Sequence, residues 1–81
     1  MKIEILGPGC KRCDQLYENA RAAILQSGAG GAVTIEKIQD IMQITAKGVF
    51  MTPGMMIDGE VISVGKVLSV EQIVHIIEEK L

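Results

Sequence analysis

Two cysteines three positions apart, Cys10 and Cys13, lie where a short β-type segment gives way to a helical pattern. The segment Lys2–Leu6 has the composition of a strand, and the glycines and proline at positions 7–9 end it. Thiols at such a junction can cycle between dithiol and disulfide or can bind a soft metal ion, because both reactions use a thiolate and a helix start stabilises one. The chain is therefore expected to begin as strand, loop and helix with its chemistry in the loop, and the cysteine spacing leaves both kinds of chemistry open.

Length and charge narrow the class of protein. The chain has 81 residues, of which 48% are apolar, so we expect one compact domain over residues 1–81. The net charge is −2 and aromatic residues make up 2%, so no basic face for nucleic acid or anionic lipid is indicated. No segment has the pattern of a signal sequence or a membrane span. We therefore expect a cytoplasmic protein with no nucleic-acid or membrane partner, in which a cysteine pair is more often redox-active or metal-binding than structural.

Apolar periodicity predicts the elements that follow the cysteines. Apolar and small residues recur at helical spacing after Cys13, and the glycine-rich stretch 28–31 closes this helix. The β-branched segment 32–38 is predicted as a second strand. Asp40 is predicted as the N-cap of a short helix that Gly48 ends. The first half of the chain is thus predicted to be βαβα.

Asp58 and Gly59 lie between two apolar runs and form the strongest hairpin signal in the chain, because they supply the positive φ angles of a type I′ turn. Ser69 and Gln72 then form a capping box that starts the last helix. The apolar face of that helix is predicted to comprise Val70, Ile73, Val74, Ile77 and Leu81. The helical crossover makes the first two strands parallel, and the hairpin adds two strands of alternating direction. The predicted fold class is α/β in the order βαβαββα, with a mixed four-stranded sheet flanked by helices.

This order resembles the thioredoxin fold in its smallest, glutaredoxin-sized form. The motifs that carry the resemblance are Gly9–Cys13, the pair Thr52–Pro53 directly before the hairpin, and Ile57–Gly59. The chain is most similar to the small redox-active disulfide proteins of that superfamily. It departs from thioredoxins at Gly9, where they carry an aromatic residue, and at Arg12, where they carry a proline.

The resemblance implies a thiol–disulfide oxidoreductase that needs no cofactor. Cys10, at the helix start, is expected to be the exposed nucleophile with a lowered pKa, and Cys13 the more buried resolving thiol. Lys11 and Arg12 are expected to tune the pKa of Cys10 through their positive charge, unless both point into water. Glu4, six residues before Cys10, is the candidate for a buried carboxylate that tunes the resolving thiol. The favoured expectation is that Glu4 lies on a polar or partly exposed face of the first strand, while Ile3 and Ile5 fill the core.

The resemblance also places Thr52 and Pro53 opposite Cys10, with a cis peptide bond that turns the Thr52 backbone toward a substrate. Core packing is the stronger expectation for the methionines around Pro53, Met56 above all, with an apolar substrate groove as the alternative; Met51 is the methionine predicted to contribute to such a groove. The expected partners are a protein or small-molecule disulfide and a thioredoxin-reductase-like or other thiol reductant. We expect the protein to be a monomer.

A soft-metal module is the alternative function, in which the same two thiolates bind copper or zinc. Small heavy-metal chaperone domains also carry C-x-x-C between a first strand and a first helix. Their element order is βαββαβ, however, whereas this chain is predicted to end in a helix after a hairpin. A third hypothesis is a binding module that docks to a partner protein and in which the thiols have no chemical role, but no residue pattern favours it.

Overall fold

The computed structural model describes residues 1–28 and 30–80. In chain order its elements are β1 (Lys2–Leu6), α1 (Lys11–Gln26), β2 (Thr34–Ile38), α2 (Ile41–Ala46), β3 (Gly54–Ile57), β4 (Glu60–Val64) and α3 (Val70–Lys80). This is the predicted order βαβαββα, and it differs from the βαββαβ order of heavy-metal chaperone domains. Two predicted positions lie outside the described residues: Ala29 in the stretch that closes α1, and Leu81 on the apolar face of α3.

The four strands form one mixed sheet in the order β2–β1–β3–β4. β1 runs parallel to β2, and the pairing starts with Lys2 opposite Thr34, so β2 begins two residues later than predicted. β3 is antiparallel to both β1 and β4. The carboxyl ends of β1 and β2 therefore lie at the same end of the sheet as the start of β3. This arrangement gathers the cysteine loop, the start of α2 and Pro53 at one end of the molecule.

The hairpin turn lies at the other end of the sheet. Asp58 has φ of 50° and Gly59 has φ of 84°, which are the signs that a type I′ turn requires. The Asp58 backbone N–H donates to the Lys2 carbonyl over 2.9 Å, and the Lys2 N–H donates to the Asp58 carboxylate over 2.8 Å. These two bonds hold the turn to the start of β1, away from the cysteines.

The predicted caps of the last two helices are confirmed. Ser69 Oγ accepts from the Gln72 backbone N–H over 3.1 Å, and Gln72 Oε1 accepts from the Ser69 N–H over 2.9 Å. Asp40 Oδ1 accepts from the Met42 N–H over 2.9 Å at the start of α2. Each cap pairs N–H groups that the helix itself leaves free, which is worth about 1 kcal/mol. No helix among residues 1–28 and 30–80 combines the length and the apolar character that a bilayer span requires.

Buried apolar side chains cover both faces of the sheet, since successive side chains of a strand point to opposite faces. The larger cluster lies on the face covered by α1 and α3, called here the α1–α3 face, and includes Ile3, Ile5, Leu16, Ala20, Met55, Ile57, Ile73 and Ile77. The smaller cluster lies on the face covered by α2, called here the α2 face, and comprises Leu6, Ile44, Val49 and Met56. β3 contributes side chains to both clusters, since Met55 lies in the larger and Met56 in the smaller. The prediction that these two methionines pack in the core is confirmed.

Candidate active site

Helix α1 positions both cysteines. Cys10 is its N-cap, and the backbone N–H of Cys13 donates to the Cys10 sulfur over 3.3 Å, the type of bond that a serine or aspartate cap usually accepts. Both cysteines are free thiols; Cys10 is exposed, whereas Cys13 is 5% exposed. The structure thus brings the two thiols together and leaves one sulfur accessible to a partner.

The two thiols have opposite pKa shifts. The pKa of Cys10 is lowered, chiefly by the hydrogen bond from the Cys13 thiol and next by the one from the Cys13 backbone N–H. The pKa of Cys13 is raised, first by burial and second by the hydrogen bond that it gives to Cys10. Cys10 therefore ionises first, as the sequence predicts. The groups that lower its pKa are hydrogen-bond donors, however, and the side-chain charges of Lys11 and Arg12 are not among them.

The two basic residues between the cysteines lie in different surroundings. Lys11 is exposed. The Arg12 guanidinium donates from Nη2 to the carbonyl of Gly65 over 2.8 Å, which links α1 to the loop that follows β4. Arg12 thus contacts a residue 53 positions away in the chain, whereas Lys11 has no hydrogen-bond or ion-pair partner among residues 1–28 and 30–80.

Gly7 makes room for Cys13. A Cβ atom on Gly7 would overlap the Cys13 sulfur and would lie 2.9 Å from the Cys13 Cβ. The Gly7 N–H donates to the Ile38 carbonyl over 2.9 Å, so the backbone cannot easily shift away. The cavity beside Cys13 has a volume of about 10 Å³, which is about the space of one water molecule. A substrate disulfide can therefore reach Cys10 but not Cys13.

The segment before β3 lies beside the cysteine loop. The Thr52–Pro53 peptide bond is cis, Pro53 is buried and Thr52 is half-buried. The Thr52 Cβ is 3.9 Å from the point where a Cβ of Gly7 would be. The Pro53 carbonyl accepts from the Gly65 N–H over 2.9 Å. Thr52 thus lies beside Gly7, the residue that packs against the Cys13 sulfur, and Pro53 follows it.

Two large apolar side chains near Pro53 remain open to solvent. Met51 is 64% exposed and Phe50 is 80% exposed, in contrast to the buried Met55 and Met56. The sequence pattern does not single out Phe50, although it is the only phenylalanine in the chain and stands three residues before Pro53. Met51 and Phe50 are the accessible apolar groups of this segment.

Glu4 is buried, with 6% of its surface exposed, so the expectation of a partly exposed Glu4 is wrong. It lies opposite Met56 in the sheet, and its carboxylate is 3.7 Å from Lys47 Nζ. Glu4 and Ile5 point to opposite faces of β1, and Ile5 lines the small cavity beside Cys13. Glu4 is not among the groups that shift the pKa of either thiol. Its ion pair belongs to the α2 face, whereas Cys13 packs on the α1–α3 face.

Cys10 and Cys13 are the two thiol ligands that the site offers to a soft metal ion. Within residues 1–28 and 30–80, no three side chains of the types His, Cys, Asp and Glu are gathered as a metal-binding group. The imidazole of His75 lies 3.0 Å from the carboxylate of Glu79, on the exposed side of α3.

Most of the chain is similar to known proteins. The family described as thioredoxin domain matches residues 1–78. The chain is 40% identical over 77 residues to a thioredoxin of Methanothermobacter thermautotrophicus, an alignment that covers 95% of this chain and 97% of that protein. It is 39% identical over 71 residues to a thioredoxin of Methanocaldococcus jannaschii, covering 88% of this chain and 79% of that protein. The chain therefore belongs to the thioredoxin family, which confirms the resemblance, and is a thiol–disulfide oxidoreductase.

Proposed function

We propose that this protein reduces or exchanges protein disulfides through a dithiol–disulfide couple formed by Cys10 and Cys13. The observation that carries the proposal is the asymmetry of the two sulfurs. Cys10 is exposed and its pKa is lowered, whereas Cys13 is buried and its pKa is raised. An exposed thiolate can attack a partner, and a buried thiol beside it can act only on the sulfur that it contacts.

The reaction has two exchange steps. The Cys10 thiolate attacks one sulfur of the substrate disulfide; a mixed disulfide forms, and the second substrate sulfur leaves as a thiolate and takes up a proton. Cys13 then loses its proton and attacks the Cys10 sulfur, which releases the first substrate sulfur as a thiolate. The substrate has gained two electrons, and the protein holds a Cys10–Cys13 disulfide. A thiol reductant, such as a thioredoxin-reductase-like partner, restores the dithiol.

The substrate segment is proposed to lie along Thr52 and Pro53 and to contact Met51. The exposure of Met51 and Phe50, directly before Thr52 and Pro53, supports this placement. A thioether side chain adapts to partners of different shape, which suits a protein that acts on more than one disulfide. We propose that the protein works as a cytoplasmic monomer, since thiol reductants maintain dithiols in that compartment.

Replacement of each cysteine tests the assigned roles. Cys10→Ser should abolish reduction of a disulfide-bonded peptide, because the attacking sulfur is lost. Cys13→Ser should accumulate a mixed disulfide between Cys10 and the peptide, visible as an added mass by intact-protein mass spectrometry. Trapping by both variants to the same extent would contradict the roles, and a wild-type protein inert toward the peptide would contradict the function.

A metal titration of the reduced wild-type protein separates the proposal from the soft-metal alternative. We expect reversible oxidation to remove both thiols together, and we expect zinc to bind weakly, since two thiolates fill half of a tetrahedral site. Tight zinc binding, together with failure of the disulfide to form, would favour the alternative.

A further inference from the structure

Gly65 links the cysteine motif to the segment that precedes β3. Its carbonyl accepts from the Arg12 guanidinium over 2.8 Å, and its N–H donates to the Pro53 carbonyl over 2.9 Å. Two hydrogen bonds through one residue thus connect the first turn of α1 to Pro53. A guanidinium–carbonyl bond is charge-assisted and is therefore stronger than a neutral one.

The conformation of Gly65 also sets its contact with Met51. Gly65 has φ of +69°, a region that L residues rarely adopt. A Cβ atom at this position would lie 3.2 Å from the Met51 Cε and 3.4 Å from the Met51 Cβ. The Gly65 backbone therefore packs directly against Met51 while it is bonded to Arg12 and Pro53. Gly65 thus contacts both ends of the segment 51–53.

We propose that Arg12 is a positioning residue, which holds the segment 51–53 in register with Cys10 through its bond to Gly65. The inference rests on the proposed function, because it concerns the place where the substrate segment lies. Arg12 is two residues after Cys10 on α1, so its contact sets the distance between the attacking sulfur and Pro53. In-line attack on a disulfide is sensitive to such distances, and misplacement by about 1 Å can cost a large factor in rate.

Lys11 provides a matched control for the charge of Arg12. It stands next to Cys10, carries the same charge and has no hydrogen-bond or ion-pair partner within the described part of the chain. Lys11→Met and Arg12→Met remove one positive charge each, but only Arg12→Met removes the bond to Gly65. Arg12→Lys keeps the positive charge but replaces the planar guanidinium fork with a compact ammonium group.

Amide hydrogen exchange tests the link without reference to activity. The Gly65 N–H should exchange about fivefold faster in Arg12→Met than in wild type, the factor expected when one exposed, charge-assisted hydrogen bond no longer restrains its acceptor residue. Lys11→Met should leave this rate at the wild-type value, and Arg12→Lys should fall between. Equal rates in wild type and Arg12→Met would overturn the proposal, whatever the enzymatic activity of the protein.

Steady-state kinetics test whether the link positions the substrate. With a disulfide-bonded peptide, Arg12→Met should raise KM about fivefold while kcat falls less, whereas Lys11→Met should change KM much less. With a small aromatic disulfide that needs no binding segment, the two variants should react at equal rates. Equal KM values of Arg12→Met and Lys11→Met for the peptide would show that charge alone matters and would overturn the positioning role. If the wild-type protein failed to reduce either disulfide, the proposed function would fail, and the hydrogen exchange would still decide the link.

Discussion

Cys10 and Cys13 are three residues apart, yet they lie in two different parts of the molecule. The Cys10 loop, residues 8–10, ends at the N-cap of α1 and is exposed to water. The Cys13 seat, in contrast, is formed by the buried Gly7 and the buried stripe of α1 that includes Leu16. Cys10 receives hydrogen bonds and its pKa falls; Cys13 is desolvated and donates one, so its pKa rises. Position on the helix, rather than residue type, therefore sets the role of each thiol.

The largest expected effect on stability comes from truncating Leu16, a side chain of the buried α1 stripe that forms part of the Cys13 seat. Leu16 is fully buried on the same face of α1 as Cys13. Leu16→Ala should lower the free energy of unfolding of the reduced protein by about 3 kcal/mol, measured by urea denaturation, because it leaves a cavity between α1 and the sheet. Leu25→Ala is the control, since Leu25 is 79% exposed on the same helix and should change stability by less than about 0.5 kcal/mol.

The same variant should also make the two thiols more alike. A loosened seat exposes Cys13, so iodoacetamide should alkylate it faster in Leu16→Ala than in wild type, while the rate at Cys10 changes little. If the alkylation rates of the two cysteines kept their wild-type ratio, burial by the α1 stripe would not be the cause of their difference.

Filling the Cys13 seat should have the next largest effect. Gly7→Ala places a methyl group on the Cys13 sulfur, and we expect a loss of about 2 kcal/mol in the free energy of unfolding from overpacking. Gly31→Ala is the matched control, because nothing lies within 4 Å of a Cβ atom at that position. If the Gly7→Ala protein were as stable as the Gly31→Ala protein, the Cys13 seat would accommodate an added methyl group without strain.

Removing the hydrogen bond between the thiols should raise the pKa of Cys10. Cys13→Ala deletes the largest cause of the lowered Cys10 pKa, so less thiolate forms at a given pH and the alkylation profile of Cys10 should move to higher pH. Cys13→Ser retains an O–H donor, and its profile should lie nearer to that of wild type. Identical profiles for Cys13→Ala and Cys13→Ser would assign the shift to the backbone N–H alone.

The smallest effect on the reactivity of the thiols is expected from a substitution on the α2 face. Glu4→Gln removes the ion pair with Lys47, which is about one-third exposed, and should cost about 1 kcal/mol of stability at neutral pH. Since Glu4 is not among the groups that shift the pKa of Cys13, the pH profile of Cys13 alkylation should move less than in Leu16→Ala. A larger shift in Glu4→Gln would restore Glu4 as a residue that tunes the resolving thiol.

Elements with local signals could be predicted from the sequence. The capping box at Ser69, the N-cap at Asp40 and the turn at Asp58 each depend on contacts within four residues, and all three form as predicted. The start of β2 was not predictable to the residue, because pairing with β1 decides it. The nearness of Cys10 and Cys13 is likewise local, since both lie in one turn of a helix.

The amino-acid sequence by itself determined the order of the elements, the position of the dithiol at a helix start and the difference in burial between its two sulfurs. Only the tertiary structure decided what surrounds them. It placed Gly65 against Arg12 across 53 residues of chain, Gly7 under the sulfur of Cys13, and Glu4 beside Lys47 on the α2 face. A glycine that offers a carbonyl, or leaves space for a sulfur, has no side chain to mark that role in the sequence. Such contacts arise when the sheet closes and brings distant segments to the same end of the molecule.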